Sequence, residues 1–241
     1  MKPWDSAELS FDASTFSGVV RLFPLPNLVL YPHVMQPLHV FEDRYREMLE
    51  DALATDQLIT MSVLQPGWEA DYDSRPPISE HACLGKVVAH HKLEDGRYNV
   101  LLLGVQRVRI LKELDPLRSF RQARVELVED CYDFETLAER KQLQEELMTA
   151  FRQRLPCNCE LPEQLQDMLS TQLPLGLLTD LASYALPLDA EVKLQLLAEA
   201  DVRRRAEMLL AQVETLAAAA PEPAAPRPKS SLIFPPAFSD N

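Results

Sequence analysis

The sequence predicts an α+β protein in which a strand-rich N-terminal half is followed by a helical half. Between Val19 and Val128, short apolar runs of strand length are separated by Pro, Gly, Asn and Asp, the punctuation expected between strands. Beyond residue 130 the apolar period turns helical, with Leu143, Leu147, Phe151 and Leu155 recurring every four residues and Met148 beside them. At 241 residues with 46% hydrophobic content, the chain suffices for one large domain or two small ones sharing a core.

The runs read as strands are Val19–Leu25, Leu28–Tyr31, Val34–Val40, Leu58–Leu64, Leu84–His91, Tyr98–Leu111 and Arg121–Val128. One helix interrupts them, from Phe41 or Glu42 to Ala54, with Tyr45, Met48, Leu49 and Leu53 at helical spacing. Glu94-Asp95-Gly96-Arg97 separates two runs, and Asp-Gly supplies the positive φ of a tight hairpin turn. Within Tyr98–Leu111 the apolar parity changes, from Leu101, Leu103 and Val105 to Val108 and Ile110. A one-residue slip exchanges the two faces of a strand, so a bulge near Gly104 and Gln106 reconciles the halves and bends the strand, as in barrels. In the last run Ala123, Val125 and Leu127 alternate with Gln122, Arg124 and Glu126, giving one buried and one wet face.

In the helical half, Pro162 suits the first turn of a second helix, and Pro187 ends a third at Leu186. Asp189 caps a fourth, and Val202, Ala206, Leu209, Val213 and Leu216 mark a fifth. From Pro221 to Asn241 the chain has six prolines in 21 residues and no periodicity, so an extended, mobile tail is expected. The division that follows is an N-terminal extension over 1–17, a β-rich part over 18–130, a helical part over 131–219 and a Pro-rich tail over 220–241.

The formal net charge is −13, about equally divided at residue 130, so the acidity belongs to the whole chain. A nucleic-acid partner gains affinity through clustered Lys and Arg, and none are clustered here. The N-terminus, with Asp5, Glu8 and Asp12, lacks the apolar core of a secretory signal, and no stretch of roughly 18 apolar residues occurs. A cytoplasmic location without membrane contact is expected, with Cys83, Cys131, Cys157 and Cys159 as free thiols.

The residues for chemistry are sparse. With six glycines against nineteen prolines, few places allow backbone to approach a phosphate closely. No G-x-S-x-G occurs around Ser170, Ser183, Ser230 or Ser231, so a serine nucleophile has no local support. His81-Ala82-Cys83, His90-His91 and Cys157-Asn158-Cys159 lack the paired ligand spacing of zinc sites. On a strand His90 and His91 point to opposite faces, which leaves His91 half-buried beside Val87 and Ala89. Glu69, Asp71 and Asp73 lack the order of a calcium loop. Arg203-Arg204-Arg205 reads as a solvated helix face. Neither metal nor cofactor is expected, and Glu42, Arg44 and Tyr45 at the helix start read as structural.

Phe23-Pro24-Leu25-Pro26-Asn27-Leu28-Val29-Leu30-Tyr31-Pro32, then Pro37-Leu38-His39-Val40-Phe41-Glu42-Asp43-Arg44-Tyr45, resembles the opening of the Lon protease N-terminal, substrate-binding domain. The hairpin from Asp95 to Ile110 is similar to the same domain, as are Leu181–Leu186, Pro187-Leu188, Lys193, Leu197 and Asp201-Val202. The resemblance runs in order over about residues 18–210. It implies a PUA-like β pseudo-barrel beside a helical bundle, and a role in capturing polypeptides. No G-x-x-x-x-G-K-[ST] occurs and no glycine follows Gly176, so the resemblance covers the recognition domain without the ATPase or protease modules.

The expectation is therefore a non-enzymatic module that binds unfolded or degron-bearing polypeptides or another protein, with weak self-association as a further partner. PUA-like folds elsewhere bind RNA, an alternative opposed by the acidic charge; an uncharacterised hydrolase activity is the other alternative. Tyr31, Pro32, His33, Val34 and Met35, at a turn between strands, are the first candidate polypeptide contacts, with Trp68 in the next long loop as another. The structural alternative has Tyr31, Val34 and Met35 closing one end of the barrel. In the tail, Leu232, Ile233, Phe234 and Phe238 form a candidate docking motif.

Overall fold

The computed structural model describes residues 11–72, 74–154 and 173–218. The chain forms two compact units. One contains the described residues up to Glu129 together with Asp189–Ala198, and the other contains those of Asp130–Leu188 and from Glu199 onward.

The first unit has six strands: β1 (Val19–Leu25), β2 (Met35–Val40), β3 (Leu58–Val63), β4 (His81–Lys92), β5 (Tyr98–Glu113) and β6 (Arg121–Val128). They are joined in the order β2-β5-β4-β3-β1-β6, and a further pairing of β6 with Arg107–Glu113 of β5 closes five of them into a barrel, while β2 pairs with the first part of β5, Tyr98–Leu103. All the pairings are antiparallel except β1 with β3, which is parallel in the register Leu22↔Thr60 to Leu25↔Val63. A parallel pair needs a long crossover, and here it contains β2 and helix α1 (Asp43–Leu53).

Both faces of β1 are covered. Val20, Leu22, Ala82, Leu84, Val108, Ala123 and Val125 form one buried cluster. On the opposite face of β1, Phe23 meets Tyr45 of α1 with ring centroids 4.5 Å apart. Tyr45, Met48, Leu49 and Ala52 are all buried, an i, i+3, i+4, i+7 stripe that fixes which face of α1 meets β1 and β3. Full burial of a side chain such as Leu49 contributes about 1.5–3 kcal/mol. Arg21, alternating with these apolar residues, reaches Asp51 at 2.6 Å, Asp56 at 2.7 Å and the Thr55 hydroxyl at 2.6 Å, so the end of α1 is tied to β1 by charge-assisted bonds.

The bend expected in β5 is present. Leu84 pairs with Gln106 and Gly85 with Gly104, which leaves Val105 as the extra residue of a bulge. The turn before it also forms as expected: Gly96 takes φ +85° and its N–H donates to the Leu93 carbonyl. A second irregularity in β4 places Val88 between Val87, paired with Leu102, and Ala89, paired with Leu101. That shift changes the parity of the strand's end, so Ala89, His90 and His91 are all exposed and the expected half-burial of His91 does not occur.

Leu28–Tyr31 is not a strand. Val29, Leu30 and Tyr31 are buried, yet the segment lies between Asn27 (φ 57°) and His33 (φ 66°), left-handed residues that interrupt extended backbone. Its apolar run records burial as a docked loop. Helix α4 (Ala190–Ala198) belongs to this first unit, where it packs against β4.

The second unit contains α2 (Leu137–Arg154), α3 (Leu175–Ala185) and α5 (Val202–Ala218). Leu147 and Phe151 of α2 are buried as their spacing predicts, and α3 ends at Leu186 before Pro187. Val202, Ala206, Leu209 and Val213 form the buried stripe of α5. Asp201 caps that helix, its carboxylate accepting the Arg203 N–H at 2.8 Å. Arg205 corrects the expectation of a solvated basic run: its side chain has no exposed surface, whereas Arg204 is exposed. Leu155, the expected helix at Pro162, Cys157 and Cys159 lie outside the described residues, as does the tail.

Candidate functional site

The loop leading into β2 is built on one close approach. A Cβ at Gly104 would lie 2.0 Å from the Tyr31 carbonyl oxygen, so only glycine lets the loop backbone rest on the β5 bulge. The His33 N–H then donates to the Gly104 carbonyl at 2.8 Å, and the Gly104 N–H donates to the Val34 carbonyl at 2.9 Å. The Tyr31 hydroxyl donates to the Lys193 carbonyl on α4. These contacts bury Tyr31, Pro32 and Val34, which are thereby corrected from surface candidates to packing residues. His33 and Met35 remain exposed.

Strand alternation carries this exposure along β2. Leu38 and Val40 face the core, whereas Met35, Pro37 and His39 take the other parity and Phe41 follows at the end of the strand. Met35 is 45% exposed and Phe41 51% exposed. His39 is held between them: Nδ1 lies 2.8 Å from Asn99 Oδ1, and Nε2 lies 3.2 Å from Arg97 Nη1. In the tautomer protonated at Nδ1 both contacts are satisfied. Phe41 stacks on that ring with centroids 6.1 Å apart. The result is an apolar stripe on a strand bordered by β5 alone. Phe41 escaped the sequence reading because it was counted as the start of the helix; continuing the alternation of Met35, Pro37 and His39 by one step would have found it.

Trp68 begins a short 3-10 turn (Trp68–Asp71) and is half-buried, edge-on to Tyr72 with centroids 5.3 Å apart. Tyr72 donates to Glu42 Oε1 at 2.5 Å, and Arg44 Nε donates to Glu42 Oε2 at 2.9 Å. The Arg44 guanidinium lies 4.7 Å from the Tyr45 ring centre and 4.8 Å from that of Tyr72. Burial pushes the Tyr45 phenol well above its ordinary range; burial and then the bond to Glu42 raise that of Tyr72, so both stay protonated. Glu42, Arg44 and Tyr45 thus work as an anchor for α1 and the Trp68 turn.

Among the described residues no group of three His, Cys, Asp or Glu side chains could hold a metal ion, and no helix is long and apolar enough to cross a membrane. The Cys83 thiol is buried and that of Cys131 exposed. Leu232, Ile233, Phe234 and Phe238 lie outside the described residues.

A closed barrel whose parallel strand pair is covered by one helix, with an edge strand outside the closure and a helical unit later in the chain, defines an α+β architecture. Residues 19–215 match the family of the ATP-dependent protease La (LON) substrate-binding domain, and the chain belongs to that family. The Lon protease of Azospirillum brasilense is 30% identical over 194 residues, 79% of this chain and 23% of that protein. The Lon protease of Escherichia coli strain K12 is 28% identical over 198 residues, 81% of this chain and 24% of that protein. The chain thus spans about a quarter of the length of the curated relatives it matches. In fold it is similar to a Lon N-terminal domain protein from Xanthomonas campestris, with a TM-score of 0.60 and 24% identity over 80% of this chain and 97% of that one. It is also similar to the N-terminal domain of Mycobacterium avium complex Lon protease, with a TM-score of 0.61 and 18% identity over 81% of this chain and 98% of that one.

Proposed function

We propose that this chain is a non-enzymatic recognition module that captures unfolded or degron-bearing polypeptides, or acts as an adaptor for them. The observation that carries this reading is the outward stripe of β2: Met35 and Phe41 are large, apolar and half-exposed on one edge strand. Exposed apolar side chains at alternate strand positions fit an extended peptide, which presents its own side chains with the same two-residue period. Met35 is flexible enough to accept varied partners, and His33 and Trp68 extend the candidate contacts. The chain's charge of −13 keeps such a surface soluble and opposes the RNA alternative.

The test is equilibrium binding of fluorescent, permanently unfolded casein to the purified chain, with and without Met35→Ser and Phe41→Ser together. The double variant is expected to weaken binding about tenfold while its melting temperature stays within a few degrees of the parent. No binding by the parent would overturn the reading, as would hydrolysis of casein or ATP that a point mutation abolishes. Tight, salt-sensitive binding of tRNA would favour the RNA alternative instead.

A further inference from the structure

A second feature of the first unit lies away from β2. The start of α1, Ser74 and Arg75, and the β5–β6 connection border an open cavity of about 640 Å³. Four arginines line it, Arg44, Arg75, Arg118 and Arg121, and the buried residues Tyr45 and Phe120 lie at its base. In a chain with 37 acidic and 24 basic residues this is an unusual concentration, and among the described residues no carboxylate lines the cavity.

The four arginines differ in how firmly they are held. Arg121 is nearly buried, with paired bonds to Glu113 and a 2.9 Å bond to the Pro76 carbonyl. Arg44 is fixed by Glu42 and the rings of Tyr45 and Tyr72. Arg75 and Arg118 are more exposed, at 36% and 52%: Arg75 donates to the Leu114 carbonyl at 3.2 Å and lies 4.0 Å from Glu113, and Arg118 lies 3.5 Å from Asp51. Two guanidinium groups are therefore preset and two remain able to turn toward an anion. Arginine forks match carboxylates bidentately. The volume exceeds what a lone inorganic anion needs and is in the range of sites that enclose small organic groups.

We infer that this cavity is a carboxylate-binding subsite for acidic polypeptide segments, a proposal that rests on the polypeptide-capture reading above. The carboxylate comes either from an Asp or Glu side chain or from a chain's C-terminus.

The test uses the full chain and four fluorescent peptides that are rich in Phe: one pair with Glu and one with Gln at the same positions, each as the free acid and as the C-terminal amide. The Glu peptides are expected to bind about tenfold tighter than the Gln peptides if side chains are read. The free acids are expected to gain similarly over the amides if the C-terminus is read. Arg75→Gln with Arg118→Gln should erase the preference and leave the melting temperature unchanged. Equal binding of all four peptides overturns the subsite and leaves polypeptide capture standing. A preference that persists in the double variant overturns it as well. Failure of every peptide and of casein overturns the capture reading itself. Titration with inorganic phosphate that perturbs the cavity while no peptide binds also overturns the peptide subsite.

Discussion

The Arg205 guanidinium, which has no exposed surface, grips the Asp130 carboxylate with two bonds of 2.9 and 2.8 Å. Two further donors are also used: Nε donates to the Thr179 hydroxyl at 2.8 Å, and Nη1 donates to the Glu199 carbonyl at 2.7 Å. Asp180, itself buried, lies 3.9 Å away. One arginine of α5 thus fastens α3 and the two points, Asp130 and Glu199, at which the chain enters the second unit. A buried pair of this kind costs desolvation to form, but removing one partner strands the other. Arg205→Met should therefore lower unfolding stability by about 3 kcal/mol, read from urea denaturation. Arg204→Gln, one residue earlier and exposed, should change it by less than about 0.5 kcal/mol. Equal effects of the two substitutions would contradict the role of the buried fork.

Gly104→Ala tests the loop that carries Met35. The added Cβ would overlap the Tyr31 carbonyl, which is backbone and cannot swing aside. A loss of about 3 kcal/mol is expected, with the docked loop displaced from β5. Gly96→Ala provides the comparison. Its φ of +85° is unfavourable, but its close neighbour is the flexible end of Arg46, so a loss of about 1 kcal/mol is expected. If chemical denaturation ranks the two the other way, the close approach is not what requires glycine at 104.

These positions also mark what could be read without coordinates. The Asp95-Gly96 hairpin and the bulge at Val105 were legible because each leaves a local signature, a positive-φ dipeptide and a change in apolar parity. The buried faces of α1 and α5 were legible for the same reason, since a 3.6-residue period survives in the sequence. Leu28–Tyr31 misled because an apolar run reports burial and not backbone conformation. Arg205 misled because a charged residue on a helix is ordinarily solvated, and Asp130 is 75 residues away. Closure of the barrel through β5–β6, and the parallel β1–β3 pair, depend on long-range pairing that no local pattern records.

Acid should loosen the β4–β5 hairpin's tie to α1. Glu50 accepts a 2.7 Å bond from the Tyr98 hydroxyl and a 3.1 Å bond from Lys92, and these, in that order, hold its carboxyl below the ordinary glutamate value. A carboxyl whose folded pKa is depressed contributes stability that is present above its unfolded value, about 4.3. That contribution is lost as pH falls through the lower folded value. Glu50→Gln should therefore reduce the slope of stability against pH below about 4.5 and leave it unchanged near neutrality. Because Glu50 is largely exposed, the effect should shrink in high salt. Denaturation series at several pH values would contradict this if parent and variant stay parallel.

The two described thiols should differ sharply in reactivity. Cys83 of β4 has no exposed surface and lies beside Gly104, within the barrel unit's packing, whereas Cys131 is exposed at the start of the second unit. Alkylation requires contact between reagent and thiolate, so a buried thiol reacts only through an opened state. Brief iodoacetamide treatment of the native chain, followed by peptide mass mapping, should therefore label Cys131 and leave Cys83 unmodified. Cys83 should become labelled on the same timescale once urea unfolds the barrel. Gly104→Ala, by displacing the loop from β5, should raise the native labelling of Cys83 more than that of Cys131. Equal labelling of the two thiols in the native parent would contradict the packing around Gly104 on which Met35 depends.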